Sequence, residues 1–255
     1  MIILVTGATA GFGRAIALEL AAAGHTVIAS GRRRSRLDQL AAEAADAAGT
    51  LVTRALDVTR SLAVGETIAE IERNVGPIDI LVNNAGLALG LAPAQSVELD
   101  DWENMVDTNI KGLLYCTHAV LPGMVRRDRG YIINLGSVAG NYPYPGSHVY
   151  GASKAFIHQF SRNLRADLLG TRIRVTCLEP GLCGGTEFSL TRFKGDADKA
   201  EAVYRGTKPL TAEDIAQLVA YLIGLPAHIN VNQMELMPTC QAFGPFAVSR
   251  TRDMQ

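Results

Sequence analysis

The sequence predicts an α/β protein, a single domain built on a doubly wound parallel sheet with helices on both faces. Three observations carry that reading. Apolar runs of strand length alternate with longer segments of helical period over most of the chain. Several of the short runs are apolar throughout and rich in β-branched residues, as strands buried on both faces should be. A glycine-rich turn, "TGATAGFG" at residues 6–13, joins the first such run to the first helical segment.

Taken in order, residues 2–6, 26–30, 51–56, 78–82, 131–135 and 173–178 read as strands. Between and after them, residues 12–23, 34–48, 61–75, 100–126, 148–169 and 211–224 read as helices. Residues 183–208 fit neither period. A long irregular piece inside a compact domain is often a lid or a substrate loop. No linker, internal repeat or low-complexity segment divides the chain, so residues 1–255 are expected to form one domain.

Composition narrows the function. With 24 Lys and Arg against 25 Asp and Glu, the chain lacks the basic surplus of a general nucleic-acid binder. No stretch approaches the roughly 18–20 continuous apolar residues that span a bilayer, and the start, "MIILVTGATAG", has neither the basic region nor the cleavage site of a signal peptide. Cys116, Cys177, Cys183 and Cys240 match no zinc or redox spacing, which suggests a reduced, cytoplasmic protein. The five histidines, His25, His118, His148, His158 and His228, have no metal-ligand spacing, so no metal is expected. His148 stands two residues before Tyr150 and is a candidate for the pocket wall; Trp102 reads as packing.

Glycines 7, 11 and 13 let the backbone approach a pyrophosphate, and the helix that follows presents free N–H groups to it. The second strand ends in "SGRRRSR", residues 30–36, without the acid that would hold the ribose of NAD. Arg32 and Arg33 therefore point to the 2′-phosphate of NADP, because a guanidinium donates two parallel hydrogen bonds to phosphate. Arg34 and Arg36 read as solvent-facing. A solvated helix start is the plain alternative for the whole cluster, although cations there oppose the helix dipole.

Tyr150 and Lys154, at i and i+4 in "YGASK", fall on one helix face. A nearby Lys ammonium and a nicotinamide cation lower the pKa of a phenol, which then serves as base in oxidation and as acid in reduction. Ser137 follows the fifth strand, at the carboxyl edge where such sheets bind ligands, and its hydroxyl is placed to hold a substrate oxygen.

The chain resembles the short-chain dehydrogenases/reductases over nearly its whole length. The matching strings are "TGATAGFG", "LDV" at 56–58, "NNAG" at 83–86, "NIKG" at 109–112, "GS" at 136–137, "YGASK" and "EPG" at 179–181. The resemblance implies a Rossmann-like fold and a catalytic tetrad of Asn109, Ser137, Tyr150 and Lys154, with Asn109 supporting a water-linked proton relay through Lys154. The cofactor contacts it implies are Gly7, Thr9, Ala10, Gly11, Phe12 and Gly13 at the turn, Arg32 and Arg33, Asp57 and Val58 at the adenine, Asn84, Tyr150 and Lys154, and Pro180, Gly181, Cys183 and Thr186 beyond the sixth strand. Strings such as "NNAGLALG", "EPGLCGGTEFS" and "LPAHIN" are similar to the NADP-dependent 3-hydroxy acid dehydrogenase branch, which acts on serine, allo-threonine and 3-hydroxypropionate or its semialdehyde.

The segment after "EPG" departs from the wider family, with Cys183 at the usual valine and two glycines before Thr186. Cys183 reads as a packed thiol, not a nucleophile. For a substrate carboxylate the candidates are Arg192, then Lys194, with the N–H groups of Gly184 and Gly185. The alternatives are a reductase of 3-oxoacyl or other carbonyl substrates, and a dinucleotide-binding sensor without turnover. Family tetramers imply a homotetramer here. The tail "PFAVSRTRDMQ" reads as a partner contact or a frayed end.

Overall fold

The fold was obtained as a computed structural model and is described for residues 1–244; the tail from 245 onward lies outside the described residues. Seven strands form one sheet in the order β3-β2-β1-β4-β5-β6-β7, and every neighbouring pair is parallel. They are β1 (Ile2–Val5), β2 (Thr26–Gly31), β3 (Thr50–Ala55), β4 (Ile80–Asn83), β5 (Gly130–Leu135), β6 (Ile173–Pro180) and β7 (Gln233–Leu236). The chain leaves β1 toward β2 and β3, then crosses back to place β4 on the other side of β1. The connections at that reversal diverge to opposite faces and open a crevice at the carboxyl ends of β1 and β4.

Strand composition follows from cover on both faces. Ile3 and Val5 of β1 belong to one buried cluster with Val27 and Ala29 of β2, while Leu4 and Ile28 belong to the other. The first cluster is closed by α1 (Gly11–Ala22), whose Ile16, Ala17, Leu20 and Ala21 form a stripe at helical spacing, and by α9 (Ala212–Gly224) with Ile215, Val219 and Leu222. Thr211 and Asp214 form a reciprocal capping box that fixes where α9 begins. The second cluster is closed by Val64, Ile68 and Ile71 of α3 (Ser61–Asn74), by Cys116, Val120 and Met124 of α5 (Gly112–Arg127), and by Leu164 of α6 (His148–Asp167).

Four sequence expectations are corrected. The helix expected over 34–48 ends earlier, as α2 (Arg34–Glu43). Its alanine-rich continuation buries Ala44 and packs a half-buried Ala47 against the core before the chain turns back at Gly49. The single helix expected over 100–126 is α4 (Leu99–Val106), a π-helical segment (Asp107–Lys111) and α5. Such π segments are frequent at functional sites, and Asn109 lies in this one. The irregular stretch 183–208 carries two short helices, α7 (Phe188–Arg192) and α8 (Ala197–Ala202). β7 was not expected: "QMEL" is half-buried along its length, so it has no apolar run, and pairing with β6 is what makes it a strand.

Candidate active site

A cavity of about 560 Å³ opens at the carboxyl ends of the strands. Its floor at one end is the glycine turn. Gly7 and Gly11 have φ of +68° and +51°, a region that disfavours any Cβ. A Cβ on Gly7 would lie 2.9 Å from Ala85 Cα. Gly13 lies beneath the cavity wall, where a side chain would strike Asn84 and the Gly7 carbonyl. Helix α1 has Ala10 at its N-cap, which gives no side-chain cap, and no acid in its first turn. Its N-terminal N–H groups and partial positive charge are therefore open to an anion from the cavity.

Asn84 pins the end of β4 to this turn: its Nδ2 donates to Thr6 O at 2.8 Å and Gly7 O at 3.2 Å. Neighbouring Asn83 faces the interior instead, donating to Thr117 and Asn134. The two asparagines of "NNAG" thus do different work. Asp57 is held by its own turn, its Oδ1 accepting from Thr59 N and Oγ1. Val58 fits against Gly112, where a Cβ would come 2.6 Å from Val58 Cγ2.

The two predicted phosphate readers differ. Arg32 lines the cavity and has no ion-pair or hydrogen-bond partner for its side chain among the described residues. The Arg33 guanidinium is engaged: Nε and Nη2 donate to Thr9 Oγ1 at 3.3 and 3.1 Å, and Nη1 lies 2.7 Å from Glu187 Oε2. Arg36, expected to face solvent, reaches the same carboxylate at 3.5 Å.

At the other end stands Tyr150, 8% exposed, with the Phe188 ring 5.7 Å away and the Arg192 guanidinium 5.4 Å from its ring centroid. Burial pushes its phenol up to about 12, against the pull of a hydrogen bond with Ser137. Of the charges around the phenol, Arg192 pulls it down while Tyr144 and Cys183 push it up. Lys154, 5.8 Å from the ring, donates to Leu135 O at 2.8 Å, and burial brings its ammonium down to about 8. Ser137 starts the short helical turn Val138–Gly140, accepts from Ala139 N and donates to Pro180 O.

Asn109 sits fully buried behind the cavity wall. Its carboxamide accepts from Leu87 N and donates to Leu87 O and Ser153 Oγ, so it holds the loop after β4 and does not touch Lys154. Gly86 leaves the gap between them, since a Cβ there would meet both Asn109 Oδ1 and Lys154 Nζ.

Beyond the sixth strand, Pro180, Gly181, Cys183 and Thr186 line the cavity with Thr9, Ala10, Gly11 and Phe12. Burial raises the Cys183 thiol to about 12, which keeps it protonated. Arg192 lines the wall and donates to Gly90 O and to Tyr144 Oη at 2.8 Å. The other carboxylate candidates are elsewhere. Gly184 N donates to Leu210 O, neither Gly184 nor Gly185 reaches the cavity, and Lys194 pairs with Asp101 at 2.8 Å. His148 does not line the cavity either: its Nδ1 accepts from Trp102 Nε1 and its Nε2 faces Ala92 O, so both residues tie α4 to α6. The sequence reading gave no role to Tyr144, Glu187 and Phe188: Glu187 and Phe188 stand inside "EPGLCGGTEFS", but only the folding of the chain brings all three to the cavity. No group of three or more His, Cys, Asp or Glu able to hold a metal is present among the described residues, and no helix there is long and apolar enough to cross a membrane.

A glycine cradle, an uncapped helix start and an arginine unpartnered among the described residues fit a phosphorylated dinucleotide, and the model of the short chain dehydrogenase family matches residues 1–196. The chain belongs to the short-chain dehydrogenase family. It is an oxidoreductase of that family, and its relatives cover it almost end to end. It is 55% identical over 251 residues to a protein of Salmonella typhi named NADP-dependent 3-hydroxy acid dehydrogenase, covering 98% of this chain and 100% of the relative. Identity is 54% over 250 residues to sulfoacetaldehyde reductase 2 of Chromohalobacter salexigens, with 98% of each covered. The closed form of a serine dehydrogenase complexed with NADP+ superposes with a TM-score of 0.95 at 54% identity, covering 98% of this short-chain dehydrogenase and 100% of the other chain.

Proposed function

We propose that this dehydrogenase uses NADP(H) for reversible hydride transfer at C3 of short 3-hydroxy acids of the serine, allo-threonine and 3-hydroxypropionate type. The observation that carries the proposal is the juxtaposition of Arg192 and Tyr150 on one cavity wall, with a guanidinium 5.4 Å from the phenol ring. That places a fixed cation beside the proton donor, which suits a substrate whose oxyanion is one carbon away from the reacting carbon. The substrates in the names of its relatives share that skeleton: serine and 3-hydroxy acids end in a carboxylate, sulfoacetaldehyde in a sulfonate. Short β-hydroxy sulfonates therefore belong in the substrate class, because a guanidinium fork accepts either oxyanion.

When bound, the nicotinamide supplies or accepts the hydride. The chain does the rest. The glycine turn and the α1 N-terminus would hold the pyrophosphate, Arg32 the 2′-phosphate, Asp57 and Val58 the adenine, and Lys154 the nicotinamide ribose. In reduction Tyr150 is protonated at neutral pH and donates to the substrate oxygen, which the Ser137 hydroxyl holds in place. Oxidation needs the phenolate, so the phenol must come down from its raised value; the Lys154 ammonium and the positive charge of an oxidised cofactor act in that direction. A water in the gap at Gly86 would link Lys154 to Asn109 and carry the proton outward. We also place the enzyme in the cytoplasm, where its unpaired cysteines stay reduced, and in a homotetramer, which sedimentation will test.

The test is an absorbance assay of the purified enzyme with NADP and NAD against serine, allo-threonine, 3-hydroxypropionate, 2-hydroxyethanesulfonate and, in reduction, a 3-oxoacyl thioester. Turnover of the short anions with NADP, with KM raised by Arg192→Ala, is expected. Preference for the thioester, or an unchanged KM in Arg192→Ala, would overturn the substrate reading.

A further inference from the structure

We propose that Glu187 is a positioning residue: paired with Arg33, it bolts helix α7 across the cofactor cleft and so holds Arg192 against Tyr150. The inference rests on the proposed substrate role of Arg192 and extends it to the far end of the same helix.

Helix α7 has five residues, Phe188–Arg192, with Glu187 as its N-cap position and Arg192 as its last residue. At about 1.5 Å per residue it is a link of roughly 8 Å, too short to flex along its length. Both ends are tied to other parts of the fold. At the first end Glu187 Oε2 lies 2.7 Å from Arg33 Nη1, and Oε1 lies 3.5 Å from Arg36 Nη2. The residue before it, Thr186, sits on Gly11 of the glycine turn, where a Cβ would approach Thr186 Cβ to 3.3 Å. At the second end the Arg192 carbonyl accepts from Gly90 N, and its guanidinium donates to Gly90 O and Tyr144 Oη.

The division of labour among the arginines follows from their donors. Arg33 uses Nε and Nη2 on Thr9 and Nη1 on Glu187, whereas Arg32 lines the cavity with its donors unmatched among the described residues. Arg32 is then the principal reader of the 2′-phosphate, and Arg33 is the anchor to which the substrate loop is fastened. Loosening the Glu187 end removes one restraint on the start of α7, a task it shares with Thr186 on Gly11 and with the Ser189 Oγ–Tyr204 Oη hydrogen bond at 2.6 Å, and Arg192 shifts with it. The pair is about half exposed, with 44% and 40% of the side chains accessible. Exposed ion pairs have modest effects, so the expected changes are about two- to fivefold.

The test uses full-length wild type and Glu187→Gln, which keeps side-chain size and removes charge. Without cofactor, trypsin should cut the variant after Lys194 or Lys199 about two- to fivefold faster at equal global stability, because the loop is released. KM for 3-hydroxypropionate should rise by a similar factor while kcat changes less, and Kd for NADPH and NADH, read from cofactor fluorescence, should rise in equal proportion. Glu187→Asp should recover part of each effect, and adding Arg33→Ala to Glu187→Gln should not increase the cleavage rate further. Unchanged proteolysis together with unchanged KM would overturn the proposal. So would tighter binding of NADPH alone, which would make Glu187 a competitor of the 2′-phosphate for Arg33. If wild type turned over none of the short anions, the substrate reading would fail on its own, and the proteolysis would still decide whether Glu187 is the bolt.

Discussion

Replacing Lys154 by methionine should abolish turnover and yet change stability in a way that depends on pH. The ammonium is buried beside Tyr150, and its pKa falls from 10.5 to about 8 because the site disfavours charge even with Leu135 O as acceptor. At about 1.4 kcal/mol for each tenfold change in proton affinity, holding Lys154 charged in the fold costs about 3 kcal/mol relative to the neutral amine. The sign follows from proton counts. Below pH 8 both folded and unfolded states carry the proton, and the penalty is fully present. Between about 8 and 10.5 the unfolded chain binds one more proton than the folded one, so wild-type stability gains with rising pH. Methionine has no proton to lose. The stability of Lys154→Met minus that of wild type should therefore be greatest near pH 7 and fall by about 3 kcal/mol on approaching pH 10.5. Urea unfolding of both proteins at a series of pH values reads this difference, in which lost packing cancels because it is the same at every pH. Parallel stability curves would refute the reasoning, since they would mean that Lys154 is not charged against its environment in the fold.

Three further outcomes follow from the site. Tyr150→Phe should lower turnover by about 10²- to 10⁴-fold, the range for loss of a general acid, with NADPH affinity close to wild type in a fluorescence titration. Gly7→Ala places a Cβ 2.9 Å from Ala85 Cα at a φ of +68°; it should destabilise the protein by about 1–3 kcal/mol in urea unfolding and weaken NADPH binding. Arg32→Ala with Arg33→Ala should weaken NADPH far more than NADH in paired titrations, and equal losses would remove the 2′-phosphate from the assignment.

The legible parts of this protein were those whose physics is local. The glycine turn was readable because Gly7, Gly11 and Gly13 sit between an apolar run and a helical period, and the parallel sheet because Leu4 and Ile28 face one covering layer while Ile3 and Val27 face the other. Tyr150 and Lys154 share a helix face by their spacing of one turn, and the resemblance of "YGASK" to the family's string is what singled them out. Other features depended on partners distant in sequence. β7 is a strand through its register with β6, in which Glu179 faces Glu235. The break at residues 107–111 places Asn109 against Leu87 and Ser153, contacts with no trace in the local pattern. Arg33 read like Arg32 and Arg36 like Arg34 until Glu187, about 150 positions away, came to lie between them.

By itself the sequence determined the doubly wound architecture, the glycine turn between β1 and α1 and the shared helix face of Tyr150 and Lys154, because hydrophobic period, glycine conformation and helical spacing act over a few residues. Only the tertiary structure decided which cations remain open to ligands. Among the described residues Arg32 is unmatched while Arg33 is anchored; Arg192 faces Tyr150 while Lys194 is neutralised by Asp101. Tyr150 is raised and Lys154 lowered because burial, a property of the whole fold, sets the solvation of each charge.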